Sequence, residues 1–128
     1  MASGDTLVVF LPQANEPSSQ DYPAILDTRN NHPVLDFDDT LRDEAIFSAV
    51  MPQHYGGGAV TVYLHYAMSS ANTGDTDWDL AFERIGDEHQ SLDTDGWDTW
   101  KSFDNNDVPS TNGEVDILAC SMALADMA

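Results

Sequence analysis

Hydrophobic and polar residues alternate most regularly between Val60 and Met68. Successive side chains of a β-strand point to opposite faces, so this period of two predicts a strand that is buried on one side. The other face carries Thr61, Tyr63 and His65, and we expect it at the surface or in an interface. The apolar face of the strand carries Val60, Val62, Leu64, Tyr66 and Met68.

Shorter apolar or alternating runs predict further strands. Loops rich in Asp, Asn, Gly and Pro separate these runs, and such residues favour turns. The segment Glu44–Met51 fits helical and extended spacing equally well. We therefore predict an all-β chain, an antiparallel β-sandwich or jelly roll of roughly six to eight short strands. The runs are Thr6–Leu11, Ala24–Asp27, Pro33–Phe37, Trp78–Ile85, Trp97–Phe103 and Val115–Leu124.

The N-terminal part of the chain differs from the rest. Thr6–Leu11 is a continuous apolar run, which is typical of a strand buried on both faces or held between chains. Residues 12–23 contain three prolines and no hydrophobic period. We predict an N-terminal strand and a Pro-rich arm over residues 1–23 and a β-sandwich domain over residues 24–128.

Charge narrows the classes of partner. The 128 residues include 23 Asp and Glu against 4 Lys and Arg, which gives a net charge of −19. A chain with so few cations cannot neutralise a phosphate backbone or an anionic membrane, so we expect neither partner. The first residues lack the basic region of a secretory signal, and we expect synthesis in the cytoplasm. Cys120 is the single cysteine, which excludes an intrachain disulfide and favours a small apolar residue in a strand.

The segment Val34–Leu41 contains an Asp-x-Asp-x-Thr motif. It resembles the first motif of haloacid-dehalogenase-like phosphohydrolases, which implies Asp36 as nucleophile and Asp38 as general acid and base, with Mg²⁺. That fold needs alternating strands and helices, whereas the downstream sequence alternates with period two. A cation beside the phosphate is also needed, and Lys101 is the single lysine. We therefore predict that the protein is not an enzyme and keep the phosphohydrolase as an alternative.

Acidic loops raise the question of a bound cation. Asp93–Asp98 and Asp104–Asp107 carry oxygen ligands of the kind that Ca²⁺ prefers, and Asp75 and Asp77 precede a predicted strand. Neither loop has EF-hand spacing, so solvated turns are the favoured interpretation and we predict no cofactor. The four histidines lie in separate segments without metal-binding spacing.

The three tryptophans, Trp78, Trp97 and Trp100, fit two interpretations. Packing in the core of a sandwich is the commoner use of tryptophan. An exposed pair at Trp97 and Trp100 would instead form a platform for a sugar.

Most of the chain resembles a group of small structural proteins encoded by tailed bacteriophages and abundant in marine viral sequence. The resemblance implies a virion component such as a capsid decoration protein, a head spike or a tail-associated sandwich. Members of this group continue past the region Ala123–Ala128 into further strands. The resemblance therefore implies a sandwich whose open edge is completed by a neighbouring subunit. It rests on Leu26–Thr40, Phe47–Gly58, Val60–Ser70 and Trp78–Ile85.

These observations favour a structural protein that binds other proteins. We expect a decoration or cement subunit on the outer capsid surface, made in the host cytoplasm, that binds copies of itself and a capsid protein. The alternatives are a tail-associated or carbohydrate-binding adhesion module, a filament-forming subunit and the phosphohydrolase. The expected assembly contacts are Leu7, Val8, Val9, Phe10, Leu11, Pro12, Pro17 and Tyr22.

Overall fold

A computed structural model describes residues 6–16, 22–70, 73–86, 88 and 90–127. Across these ranges the chain is all-β, with six strands, two short 3₁₀ turns and no α-helix, which confirms the predicted class. No helix in these ranges is long and apolar enough to cross a membrane. The strands are β1 (Ile25–Arg29), β2 (His32–Asp36), β3 (Val60–Ala67), β4 (Asp75–Leu80), β5 (Lys101–Asp107) and β6 (Val115–Met122), and the 3₁₀ turns are Pro12–Ala14 and Leu124–Met127.

The chain divides into two compact units, Met1–Gly56 and Gly57–Ala128. In the first unit, β1 and β2 form an antiparallel hairpin with Arg29 opposite His32. Asn30 and Asn31 make its two-residue turn, with φ of 48° and 64°. Two consecutive positive φ values match the twist of a tight hairpin, and asparagine tolerates them better than most residues.

The strand predicted over Thr6–Leu11 is not formed, and these residues have no regular secondary structure. Pro12 begins a 3₁₀ turn directly after the run and has no N–H for a ladder. Glu16, farther along, makes an isolated antiparallel bridge with Ile46. The ambiguous segment Glu44–Met51 likewise forms neither a helix nor a strand, apart from its bridges at Glu44 and Ile46.

The second unit contains two antiparallel pairs, one within the other along the chain. Strand β3 pairs with β6, and the pair β4–β5 lies between them in sequence. Gly74 and Gly113 have φ of 100° and 82° in the connections that make this nesting possible. Their backbones also close the loops, because the Gly113 amide donates to the Met68 carbonyl at 2.9 Å and the Gly74 carbonyl accepts from Val108 at 3.1 Å.

The alternation predicted for β3 is confirmed. Its odd-numbered outer residues are exposed, while Val60, Val62, Leu64 and Tyr66 are half-buried or buried. Each inner residue of β3 lies opposite an inner residue of β6, and there Cys120 and Met122 have no exposed surface. The centre of the second unit is therefore the inner face of the β3–β6 pair.

Strand β5 begins at Lys101, four residues after the start of the predicted strand Trp97–Phe103. Trp97 and Trp100 are spaced by three, so an extended chain would place them on opposite faces. The ladder with β4 contains an irregularity between Thr76 and Trp78. There the Asp77 carboxylate accepts a hydrogen bond from the backbone N–H of Asn105 at 2.8 Å. Asn105 has a φ of 60°, and this hydrogen bond gives its backbone N–H a partner.

Lys101 connects β5 to the end of β6. Its ammonium donates to the Ser121 carbonyl at 2.8 Å and to the Asp126 carboxylate at 3.1 Å. The same Asp126 oxygen accepts from the Ala123 amide at 2.8 Å. These hydrogen bonds lower the pKa of Asp126, with the Ala123 amide making the largest contribution. The single lysine thus fixes the last 3₁₀ turn against β5.

We expect Met122→Ala to lower the free energy of unfolding by about 2–4 kcal/mol, because it removes a fully buried side chain and leaves a cavity. Urea unfolding followed by circular dichroism measures the change. Leu124→Ala is the matched control, since Leu124 lies two residues away with 58% of its surface exposed. That variant should stay within about 0.5 kcal/mol of the wild type. Equal losses in both variants would contradict the placement of the core.

Candidate functional site

The apolar segment Thr6–Leu11 carries most of the predicted assembly contacts, and the structure leaves much of it in solvent. Val9, Phe10 and Leu11 are 71%, 46% and 59% exposed. Leu7, Val8 and Pro12 are half-buried. Exposing three consecutive large apolar side chains is unfavourable in water, so this segment is a candidate for contact with another molecule.

Asn15 fixes the end of this segment to its own unit. Its amide nitrogen donates to the Ala24 carbonyl at 3.4 Å, and its amide oxygen accepts from the Ile46 amide at 3.1 Å. The Glu16 amide donates to the Ile46 carbonyl at 2.7 Å. The exposed residues therefore start from a fixed point on the first unit.

Two further contacts relate this segment to the rest of its unit. The ring centroids of Phe10 and Phe47 are 5.3 Å apart, a distance typical of paired aromatic rings. Tyr22 is 47% exposed, and its carbonyl accepts from the Glu44 amide at 3.0 Å. Both predicted residues thus contact the segment Glu44–Phe47. Pro17 lies outside the described residues.

The sequence patterns missed other exposed apolar residues of the first unit. Ile25, Leu26 and Val50 are 67%, 52% and 93% exposed. The first two lie in β1, all of whose residues are exposed. A short apolar run indicates a strand without showing whether the protein itself covers it, so sequence alone could not find them.

The Asp-x-Asp-x-Thr motif forms a local turn. The Asp38 carboxylate accepts from the amide and hydroxyl of Thr40, both at 2.8 Å, and from the Leu41 amide at 3.3 Å. These hydrogen bonds stabilise the ionised form and lower the pKa of Asp38, the Thr40 amide contributing most. A general acid needs a raised pKa, so the shift at Asp38 is opposite to that role.

Asp36, the other carboxyl of the motif, pairs with a carboxyl on the neighbouring strand. It hydrogen-bonds to Asp27, and this bond raises the pKa of Asp36. The pKa of Asp27 is lowered, mainly by the Thr28 amide, which donates to it at 2.7 Å. Asp27 therefore holds the negative charge of the pair more readily than Asp36 does.

A second carboxyl pair joins β4 and β5. Asp75 lies directly opposite Asp107, and a hydrogen bond between them raises the pKa of Asp75. Like charges directly opposite in a ladder repel each other. Asp77 adds to the negative potential at Asp75.

The acidic loops do not form a ligand cluster in the part of the chain that the structure describes. No group of three or more His, Cys, Asp or Glu residues there could hold a metal ion. Instead, several carboxylates accept hydrogen bonds from nearby amides, as Asp95 does from Ser91 at 2.8 Å and Asp98 from Thr99 at 2.7 Å. In these turns the carboxylates accept hydrogen bonds from backbone amides close to them in sequence.

The tryptophans separate into two environments. Trp78 is half-buried, with its ring centroid 5.5 Å from that of Tyr66. Trp97 and Trp100 are 46% and 44% exposed. Trp78 thus packs against a buried residue of its own unit, while Trp97 and Trp100 have the exposure that a sugar platform requires.

Comparison with known proteins gives no match. No family model, no curated protein and no solved structure matches this chain.

The pair Asp75–Asp107 predicts a pH-dependent stability. Negative charge on Asp75 is unfavourable directly opposite another carboxyl, so we expect Asp75→Asn to raise the melting temperature at neutral pH. The pKa of Asp75 is raised above its ordinary value of 3.8, so the folded chain takes up this proton at a higher pH than the unfolded chain. The wild-type pair therefore gains stability as the pH falls from about 7 to about 4, and the advantage of the variant should shrink over that range.

Melting curves of both proteins across this pH range measure the effect. Asp104→Asn is the control, because it removes the same charge from an exposed position of β5. An equal, pH-independent gain in both variants would assign the effect to net charge and contradict the pair.

Proposed function

We propose that the protein is a virion structural subunit that decorates the outer surface of a capsid and acts by binding protein chains. Its partners are further copies of itself and a capsid protein. The virion setting follows from the sequence resemblance to phage structural proteins. The exposed apolar surface of the N-terminal segment supports the proposed mode of action.

The observation that carries the proposal is the exposure of Val9, Phe10 and Leu11 next to a fixed anchor at Asn15. Fully burying an exposed side chain of this size contributes about 1.5–3 kcal/mol. Burial of Val9, Phe10 and Leu11 against a neighbouring chain would therefore contribute favourably to the free energy of binding. Little conformational entropy is lost at the anchored end, since Asn15 is already ordered.

The small core supports the same proposal. Among the described residues, five hydrophobic side chains are buried and eighteen large ones are exposed. All strands there lie in two-stranded sheets, which have open edges and little stability of their own in water. A sandwich or jelly roll would be completed when a neighbouring subunit supplies further strands.

The net charge of −19 fits a position outside the shell. A subunit of this charge is repelled by packaged nucleic acid and stays soluble until it finds its specific partner. The acidic turns then remain in water while apolar segments make the contacts.

We expect Val9→Asp to abolish assembly, because it places a charge within the proposed contact. Multi-angle light scattering coupled to gel filtration measures the assembly state, and cosedimentation with capsids lacking the decoration protein measures capsid binding. Val50→Asp is the matched control, being the same change in the same unit at a residue that is 93% exposed.

Assembly that survives Val9→Asp, or that fails equally in Val50→Asp, would contradict the proposed contact. A wild-type chain that stays monomeric and does not bind capsids would contradict the function. Helical polymers in electron micrographs would instead favour the filament-forming subunit.

A second candidate function is carbohydrate binding at Trp97 and Trp100, and their joint exposure is the observation in its favour. Aromatic rings exposed on a loop can stack on sugar rings, and neighbouring carboxylates such as Asp98 can accept hydrogen bonds from hydroxyls. A module of this kind would serve adhesion at a tail or a capsid surface.

Tryptophan fluorescence titrated with neutral glucan oligosaccharides and with host lipopolysaccharide tests this candidate. A spectral shift that is lost in Trp97→Ala and Trp100→Ala would support it. The Trp78 signal should stay constant, because that ring packs on Tyr66. An unchanged spectrum with every glycan would contradict it.

A further inference from the structure

The connection between β5 and β6 contains Asn112, the one asparagine of the sequence that a glycine follows. Asn112 and Gly113 form an exposed turn, which the Glu114 amide closes by donating to the Thr111 carbonyl at 3.3 Å. Gly113 has a φ of 82°, which glycine adopts at no steric cost. The turn therefore places an exposed side-chain amide directly before a backbone nitrogen that has no side chain beside it.

We propose that Asn112 is a site of spontaneous deamidation, which converts it to aspartate and isoaspartate without an enzyme. Asparagine is among the thermolabile residues of proteins. Water or hydroxide removes the proton of the Gly113 N–H, and the nitrogen attacks the side-chain carbonyl carbon, Cγ, of Asn112. The bond from the Gly113 nitrogen to Cγ forms, the bond from Cγ to Nδ2 breaks, and Nδ2 takes up a proton from water and leaves as ammonia.

The product of this step is a five-membered cyclic imide, which a water molecule then opens. Breaking the bond between the Gly113 nitrogen and Cγ gives aspartate. Breaking the bond between the same nitrogen and the main-chain carbonyl carbon of Asn112 gives isoaspartate. The net change is the exchange of ammonia for water, with no oxidation or reduction. The site lies in the second unit and uses none of the proposed assembly contacts, so this inference goes beyond the proposed function.

The residue that follows an asparagine determines which of them reacts. A Cβ on that residue crowds the attacking nitrogen, and glycine has none. Asn31 is also exposed and also lies in a turn, but His32 follows it. The Asn106 side-chain amide is half-buried and donates to two backbone carbonyls at 2.9 and 2.6 Å. We therefore expect both to keep their amides over the time in which Asn112 reacts.

One hydrogen bond opposes the reaction in the folded chain. The Gly113 N–H donates to the Met68 carbonyl at 2.9 Å, so the attacking nitrogen is already engaged. The ring closes only when this hydrogen bond opens, and an exposed turn at the end of a strand pair opens at a small cost in free energy. We expect the folded chain to deamidate about tenfold more slowly than the unfolded chain.

The two products affect the β3–β6 pair differently. Aspartate adds one negative charge to a chain of charge −19 and leaves the backbone unchanged. Isoaspartate adds the same charge and also lengthens the main chain by one carbon atom. That atom enters the turn just before Val115, which pairs with Ala67 at the end of the ladder. We therefore expect isoaspartate to loosen this end of the pair and to lower the melting temperature more than aspartate does.

The test follows the full chain during incubation at neutral and at mildly alkaline pH. Peptide mapping by mass spectrometry locates the exchange of ammonia for water, and an isoaspartate methyltransferase assay measures isoaspartate. Conversion should appear at Asn112, run faster at the higher pH and be absent at Asn31. Asn112→Gln is the matched control variant, because its longer side chain closes a less favourable six-membered ring, and it should form no isoaspartate over the same period.

Two further measurements test the role of the structure. The same incubation in guanidinium chloride gives the rate of the unfolded chain. Melting curves compare the aged wild type with Asn112→Asp, which carries the new charge on an ordinary backbone. The aged chain should melt at the lower temperature.

Four results would overturn the inference. Asn112 that keeps its amide in the folded chain long after the unfolded chain has reacted would contradict the site. Equal conversion at Asn31 would show that exposure, and not Gly113, controls the reaction. Equal rates in the folded and unfolded chains would contradict the role of the Met68 hydrogen bond. Equal melting temperatures of the aged chain and Asn112→Asp would contradict the effect on the strand pair.

Discussion

The side chain of Tyr66 holds together the two strand pairs of the second unit. It extends inward from β3, packs its ring against Trp78 of β4 and donates its hydroxyl hydrogen to Asp116 of β6. The hydroxyl also lies 3.5 Å from the Asp107 carbonyl of β5. Burial is the main cause of its raised pKa, with the acids nearby adding to it. Tyr66 thus contacts the other three strands of the unit, with its ring at β4 and with its hydroxyl at β5 and β6.

The hydrophobic pattern of the sequence predicts the strand that carries Tyr66 but not the long-range contacts that Tyr66 makes. The alternation around Tyr66 predicts β3 and its buried face because a period of two maps directly onto a pleated strand. The apolar run Val115–Leu124 likewise predicted a strand, which forms over Val115–Met122. The strand predicted over Thr6–Leu11 was wrong, because an apolar run does not show which strand, if any, it pairs with. The pairing of Asp75 with Asp107 could not be predicted either, since the register of two strands depends on contacts between distant segments of the chain.

Negative charge and apolar exposure act together in this chain. Acids are concentrated in turns and at strand ends, where they hydrogen-bond to nearby amides or to each other. Apolar residues remain exposed at the N-terminal segment and on the outer face of β3–β6. Charge of one sign keeps these apolar surfaces from associating at random, while leaving uncharged contacts available.

Among the residues that the structure describes, the two side chains with no exposed surface, Cys120 and Met122, both carry sulfur. Burial raises the pKa of the Cys120 thiol, which keeps it protonated and chemically inert. The Met122 thioether needs no ionisation to react, so only its burial limits oxidation, and its sulfoxide would place a polar group in the core. Because Met122 has no exposed surface, an oxidant reaches its sulfur only when the second unit opens, so oxidation at this position would report on local opening of the core.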